Sequence, residues 1–194
     1  MTPAVSVGPL AVLVPVKSFS EAKLRLAPAL SAVQRAALAR AMASAVVSSA
    51  APLPTAVVCD DPDVASWARD MGALVVWEPE RGLNRAVEAG VLRLGAAGAR
   101  RVIVAHADLP LARHLAWVGG FLGVTLVPDR RDNGTNAVCV PVAAGFTFSY
   151  GPGSFARHLA EAHRLGLPVR VVRGTALAAD VDLPADLALA AALS

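Results

Sequence analysis

The chain has 194 residues, 55% of them hydrophobic and 17% charged: enough apolar material for one good-sized core and too much for intrinsic disorder. The formal net charge of +3 is dispersed, with no basic run interleaved with aromatics, which argues against nucleic-acid binding. Cys59 and Cys139 lie inside apolar runs, so neither a disulfide scaffold nor a zinc site is in view, and both are expected as buried reduced thiols.

The first segment, MTPAVSVGPLAVLVPV, lacks a positive n-region and is interrupted by Pro9 and Pro15. It reads as a short tail over residues 1–9 that leads into a core strand, with no membrane association and a cytoplasmic location expected. Strands are expected at Leu10–Val16, Thr55–Cys59, Leu74–Trp77, Arg101–Ala105, Val124–Val127, Ala137–Val142 and Val169–Val172. Their near-continuous hydrophobicity indicates burial on both faces, as in a mostly parallel sheet. Helices fit between them. Ser31 caps Ala32–Ser49; Asp61 caps Pro62–Met71, with Pro62 at its first position and Gly72 as its stop. Asn84–Leu94 follows, Ser154 caps Phe155–Leu165 before Gly166, and Pro184 opens a last helix toward Ala192. Strand–helix alternation followed by a mixed second half predicts a single-domain, doubly wound, three-layer α/β fold over residues 1–194, mostly parallel, with an antiparallel addition after residue 124.

The polar residues that interrupt this pattern fall largely in loops next to strand ends. PVKSFSEAKLRL places Lys17, Lys23 and Arg25 just past the first strand, where open α/β sheets take ligands and where three cations suit a strongly anionic one. Asp108, in VIVAHADLP, follows the fourth strand. Asp180 and Asp182, in ADVDLP, share one side of an extended segment, and these hard oxygen donors suit Mg²⁺. DRRDNGTN offers Gly134 for a tight backbone and Thr135 as a hydroxyl and amide donor. SYGPGSFARH brackets a proline with Gly151 and Gly153 and opens a helix at Ser154, whose free N–H groups and dipole favour anions. Asn84, at the start of the third helix, either touches a nucleotide or caps. Each motif taken singly also fits an ordinary solvated loop, polar turn or helix cap. No GxGxxG turn and no GxSxG elbow occurs, which disfavours a dehydrogenase or a serine hydrolase.

Taken in order, PVKSFSEAKLRL, GLNRA, HADLP, DRRDNGTNAV, YGPGS and DVDLP resemble the 2-phospho-L-lactate guanylyltransferase family, whose bacterial branch includes phosphoenolpyruvate guanylyltransferases of coenzyme F-420 biosynthesis. The resemblance implies a nucleotidyltransferase fold of the GT-A type and transfer of GMP from GTP to a phosphorylated three-carbon acid, with pyrophosphate released. It further implies Asp108, Asp180 and Asp182 as Mg²⁺ ligands, Lys17, Lys23 and Arg25 as triphosphate contacts with Asn84 near the nucleotide, and Thr135, Gly151 and Ser154 as the acceptor pocket. With Lys17, the three aspartates form the implied catalytic set. One departure is Leu24, where the family usually carries a small hydroxyl residue. Phosphoenolpyruvate is the favoured acceptor and 2-phospho-L-lactate the next, and the sequence leaves both a monomer and a homodimer open. Two rival readings stand beside this one: a nucleotidyltransferase of the same fold acting on molybdopterin or a sugar phosphate, and a GTP-binding protein without catalysis.

Overall fold

Seven short apolar runs form a single mixed sheet in a computed structural model that describes residues 7–80 and 82–191. In chain order the strands are β1 (Leu10–Pro15), β2 (Thr55–Cys59), β3 (Leu74–Trp77), β4 (Arg101–Ala105), β5 (Val124–Pro128), β6 (Thr135–Pro141) and β7 (Val169–Val171). They lie side by side as β3-β2-β1-β4-β6-β5-β7. Only β6 runs against the others, paired antiparallel to both β4 and β5. The expected antiparallel addition is therefore interior to the sheet. The central strands are buried on both faces, while the edge strands β3 and β7 are partly exposed, as their position requires.

The helices form where capping chemistry and apolar spacing coincide. Ser31 closes a reciprocal capping box with Gln34 at the start of α1 (Ala32–Ser49). Asp61 accepts from the Asp63 and Val64 N–H groups to open α2 (Pro62–Asp70), and Gly72 ends it with a φ of 74°. α3 spans Leu83–Ala96 and α4 spans Ser154–Arg164. The last expected helix is shorter than its sequence suggested: Pro184–Asp186 is a 3₁₀ turn leading into α5, Leu187–Ala190. The segment after HADLP forms a 3₁₀ turn, Leu115–Gly120, tied down by Arg101 and Arg170, which donate to the carbonyls of Gly119 and Phe121 and of Trp117 and Val118.

Alternation along β1 sorts the core into two layers. Val12 and Val14 pack with residues of α1 and α2, whereas Ala11 and Leu13 pack with residues of α3 and α4. α3 lies so close to β1 that a Cβ at Gly90 would stand 2.5 Å from a Leu13 methyl. Cys59 and Cys139 are both buried free thiols, as expected. Residues 1–6 of the expected tail lie outside the described residues; Val7 is buried and donates its N–H to the Ala97 carbonyl.

This topology decides where the polar motifs meet. β1 and β4 are parallel, so their carboxyl ends emerge together, and antiparallel β6 begins where β4 ends, with Ala105 opposite Ala137. The loops after Pro15 and Ala105 and the segment before Thr135 thus share one edge of the sheet. The chain after β7 returns there through a 3₁₀ turn at Ala176–Ala178 that ends just before Asp180.

Candidate active site

A cavity of about 680 Å³ opens at this edge, and nearly every sequence motif reaches it. Its walls include Lys17, Lys23 and Arg25, then Asp108, Asp180 and Asp182, then Thr135, Gly151 and Ser154. Of the ten expected site residues only Asn84 does not line it: its Oδ1 accepts from the Tyr150 N–H at 2.6 Å and ties α3 to the loop before α4.

The centre of the cavity is an ion-pair cluster. Lys23 Nζ lies 2.6 Å from Asp108 Oδ2 and 2.9 Å from Asp182 Oδ1, joining residues 85 and 159 positions away in the chain. Lys23 itself has a left-handed backbone, with a φ of 55°. Arg25 Nη1 stands 3.7 Å from the other Asp182 oxygen, with its side chain largely in solvent. Asp180 Oδ1 accepts from Asn136 Nδ2 at 3.3 Å, and the Val181 N–H donates to the Asp108 carbonyl at 3.2 Å, stitching DVDLP onto HADLP.

The electrostatics follow from burial and neighbours. Burial opposes charge on Asp108, but Lys23 and His106 outweigh it and hold the carboxyl below its ordinary range. Burial likewise opposes the Lys23 ammonium, yet Asp108 and Asp182 raise its pKa. Asp180 is pushed up, first by burial and then by the Asp108 and Asp182 carboxylates, against the pull of its hydrogen bond from Asn136. Three carboxylates thus gather here, two of them paired with Lys23 or Arg25 and the third, Asp180, held by the neutral amide of Asn136.

Does this set fit a divalent metal? Among the described residues no three His, Cys, Asp or Glu side chains form a ready metal cluster, and Lys23 occupies the place between Asp108 and Asp182. Asp108 Oδ1 is nevertheless buried with no hydrogen-bond partner. Mg²⁺ typically uses one or two carboxylates and completes its shell with water and substrate phosphates, so an incomplete protein cage of hard oxygens with one unpartnered donor fits it.

The comparisons with known proteins converge. The family model described as "Guanylyl transferase CofC like" matches residues 10–190. The chain belongs to this guanylyl transferase family. A phosphoenolpyruvate guanylyltransferase from Sphaerobacter thermophilus is 38% identical over 184 residues, covering 90% of this chain and 89% of that protein. One from Rubrobacter xylanophilus is 38% identical over 185 residues, covering 91% and 90%. Among solved structures, a nucleotide-diphospho-sugar transferase from Desulfovibrio desulfuricans superposes with a TM-score of 0.77 at 16% identity, covering 93% of this chain and 85% of that one. A nucleotidyl transferase from Methanothermobacter does so with a TM-score of 0.66 at 16% identity, covering 93% and 95%. These two likenesses establish the nucleotidyltransferase fold.

The local geometry around these motifs departs from what their residues suggest at several points. Ser154 is the first residue of α4 and not its cap; the cap position is Gly153, and Ser154 Oγ accepts from the Thr135 N–H at 3.0 Å. The N–H groups of Ser154 and Phe155 are taken by the Gly151 and Asn133 carbonyls, so the helix start is not an open anion nest. The left-handed residue in DRRDNGTN is Asp132, with a φ of 54°, and Gly134 serves close approach: a Cβ there would stand 2.9 Å from the Asp129 carboxylate that accepts its N–H. Gly151, at φ 113°, does need glycine's freedom. Leu24 is 66% exposed at the cavity wall, where its side chain offers no hydrogen bond. Asp182 does not cap the following turn; Asp186 accepts the Asp182 and Leu183 N–H groups and pairs with Arg130.

Two residues of consequence carried little sequence signal. Asn136, buried at the start of β6, bridges Asp180 and the Leu177 carbonyl. Its position one residue past Gly134-Thr135 was the only hint. His158, fully buried on α4, contacts Thr135 from behind the cavity wall.

Proposed function

We propose that the protein is a Mg²⁺-dependent guanylyltransferase that moves GMP from GTP to phosphoenolpyruvate, with 2-phospho-L-lactate the next candidate, in the biosynthesis of coenzyme F-420. The observation that carries the reading is the meeting of Asp108 and Asp182 on one ammonium, with Asp180 alongside, in a cavity walled by cations and hydroxyls. The names of the relatives from Sphaerobacter and Rubrobacter support the choice of acid.

An oxygen of the acid's phosphate attacks the α-phosphorus of GTP. The bond from that phosphorus to the bridging β-oxygen breaks, and pyrophosphate leaves with the electron pair. The nucleophile is already anionic, so neither a covalent intermediate nor a general base is required. What opposes the reaction is repulsion: two unit charges about 4 Å apart near a protein surface cost about 4 kcal/mol, and several such pairs are involved. Orientation and charge compensation are therefore the protein's contribution. Lys17 at the mouth, with Lys23 and Arg25, supplies positive charge for the triphosphate and the departing pyrophosphate. Thr135, Gly151 and Ser154 hold the acid. Asp108, Asp180 and Asp182 would hold Mg²⁺, which when bound neutralises phosphoryl charge.

The test is a pyrophosphate-release assay that crosses each nucleoside triphosphate with each phosphorylated acid. Release is expected with GTP and phosphoenolpyruvate together and not with either alone. Release with a sugar phosphate or a molybdopterin acceptor instead would transfer the protein to a rival reading.

A further inference from the structure

Two hydroxyls on the cavity wall each already accept a hydrogen bond from the protein, and one of them is served by a buried histidine. The His158 ring has two nitrogens with opposite duties. Nε2 lies 2.9 Å from the Ser149 backbone nitrogen, which can only donate, so Nε2 is the bare, accepting nitrogen. Ser149 is itself fixed, because its carbonyl accepts from Arg157 Nε and Nη2 at 3.1 and 2.8 Å. A neutral ring with bare Nε2 carries its proton on Nδ1, 3.0 Å from Thr135 Oγ1. The opposite tautomer would set two N–H groups against each other in a buried place and leave both without an acceptor. A doubly protonated ring would put charge among Phe146, Phe148 and Tyr150.

The consequence falls on Thr135. Its Oγ1 accepts from Nδ1–H, so its own hydrogen cannot turn back toward the histidine. Ser154 is constrained in the same sense, since its Oγ accepts the Thr135 N–H at 3.0 Å. Both side chains are at most 2% exposed, both line the cavity, and neither hydroxyl donates to another group among the described residues. Two hydroxyl hydrogens are left with one direction to serve, and together they present donors with no acceptor to oppose them.

We propose that His158 is a positioning residue: held as the Nδ1–H tautomer by Ser149, it locks the Thr135 hydroxyl as a donor beside that of Ser154, making a pair that recognises the carboxylate of the acceptor acid. This rests on the reaction proposed above for the same cavity. It adds a residue that never touches substrate and gives the pocket its preference for an oxyanion over a neutral group.

The tautomer is tested first, on the unliganded wild-type protein, by long-range ¹H–¹⁵N correlation of the histidine rings. His158 is expected to show protonated Nδ1 and bare Nε2; a protonated Nε2 overturns the proposal whatever the protein catalyses. The second arm is kinetic. His158→Phe is expected to raise KM for the acid about tenfold, with KM for GTP within about twofold of the parent. His158→Asn, whose amide nitrogen stands in for Nδ1–H, should restore the acid KM to within about threefold. On a Thr135→Val background, His158→Phe should add nothing further. Equal rises in both KM values, or additive effects in the double variant, would mean a merely structural histidine. If no acid is guanylylated at all, the proposed reaction falls, and the ring tautomer still decides the hydrogen-bond geometry by itself.

Discussion

Single residues carry the chemistry, and their neighbours set what each can do. Asp180 and Asp182 sit two positions apart but have different company: the first is held by Asn136, the second by Lys23 and Arg25. Replacing either with alanine is expected to abolish Mg²⁺-dependent transfer while leaving thermal unfolding near that of the parent. Unchanged turnover in both variants would remove them from the catalytic set. His158 makes a second, independent expectation, this time for stability. Burial pushes its pKa down to about 4 from an ordinary 6.5, with Arg157 and His106 acting in the same direction and Glu161 against them. Between those values the unfolded chain binds the extra proton and the folded one does not, so stability falls as pH drops from 6.5 toward 4. Denaturant unfolding at pH 7 and pH 5 should differ by about 2 kcal/mol more in the parent than in His158→Phe. An equal difference in both proteins would show that the histidine is not kept neutral by the fold.

At the scale of elements, local chemistry was largely sufficient. Thr55–Cys59, Leu74–Trp77, Arg101–Ala105 and Ala32–Ser49 take the bounds their residues predict, because an apolar run, a cap or a Gly stop is a local signal. What local chemistry does not reveal is which partners the fold brings together. Ser154 has the composition of a cap, but β6 brings the Thr135 N–H to its hydroxyl and the cap falls to Gly153. Lys23 reads as a phosphate contact, and its bridge between two carboxylates is invisible until β1 and β4 are known to be neighbours. Asn84 reads as a site residue or a cap, and the structure gives its oxygen to Tyr150. Packing of α3 on β1 offers a test at this scale. Gly90→Ala improves helix propensity by about 1 kcal/mol, but its new Cβ would stand 2.5–2.6 Å from both methyls of Leu13, a side chain with no exposure and little room to move. Net destabilisation of about 1–2 kcal/mol by denaturant unfolding is expected. A stabilised variant would mean the helix rides farther from the sheet.

For the whole molecule, the sheet order is what converts scattered motifs into one site. Parallel β1 and β4 deliver their following loops to the same edge, and reversed β6 brings DRRDNGTN back to it. The chain after β7 then closes the ring of acidic groups with DVDLP. The six motifs could be read from the sequence one by one; that they share a site was implied only by the family resemblance, because their convergence depends on a strand reversal in the interior of the sheet. The reaction proposed for this cavity joins a nucleotide's α-phosphorus to the phosphate of a small acid. Its most direct test is to supply GTP labelled with radioactive phosphorus at the α or the γ position, together with Mg²⁺ and phosphoenolpyruvate, and to separate the products. The α-label should appear in the acid adduct and the γ-label in pyrophosphate. Transfer of the γ-label to the acid, or no labelled adduct with any phosphorylated three-carbon acid, would contradict it.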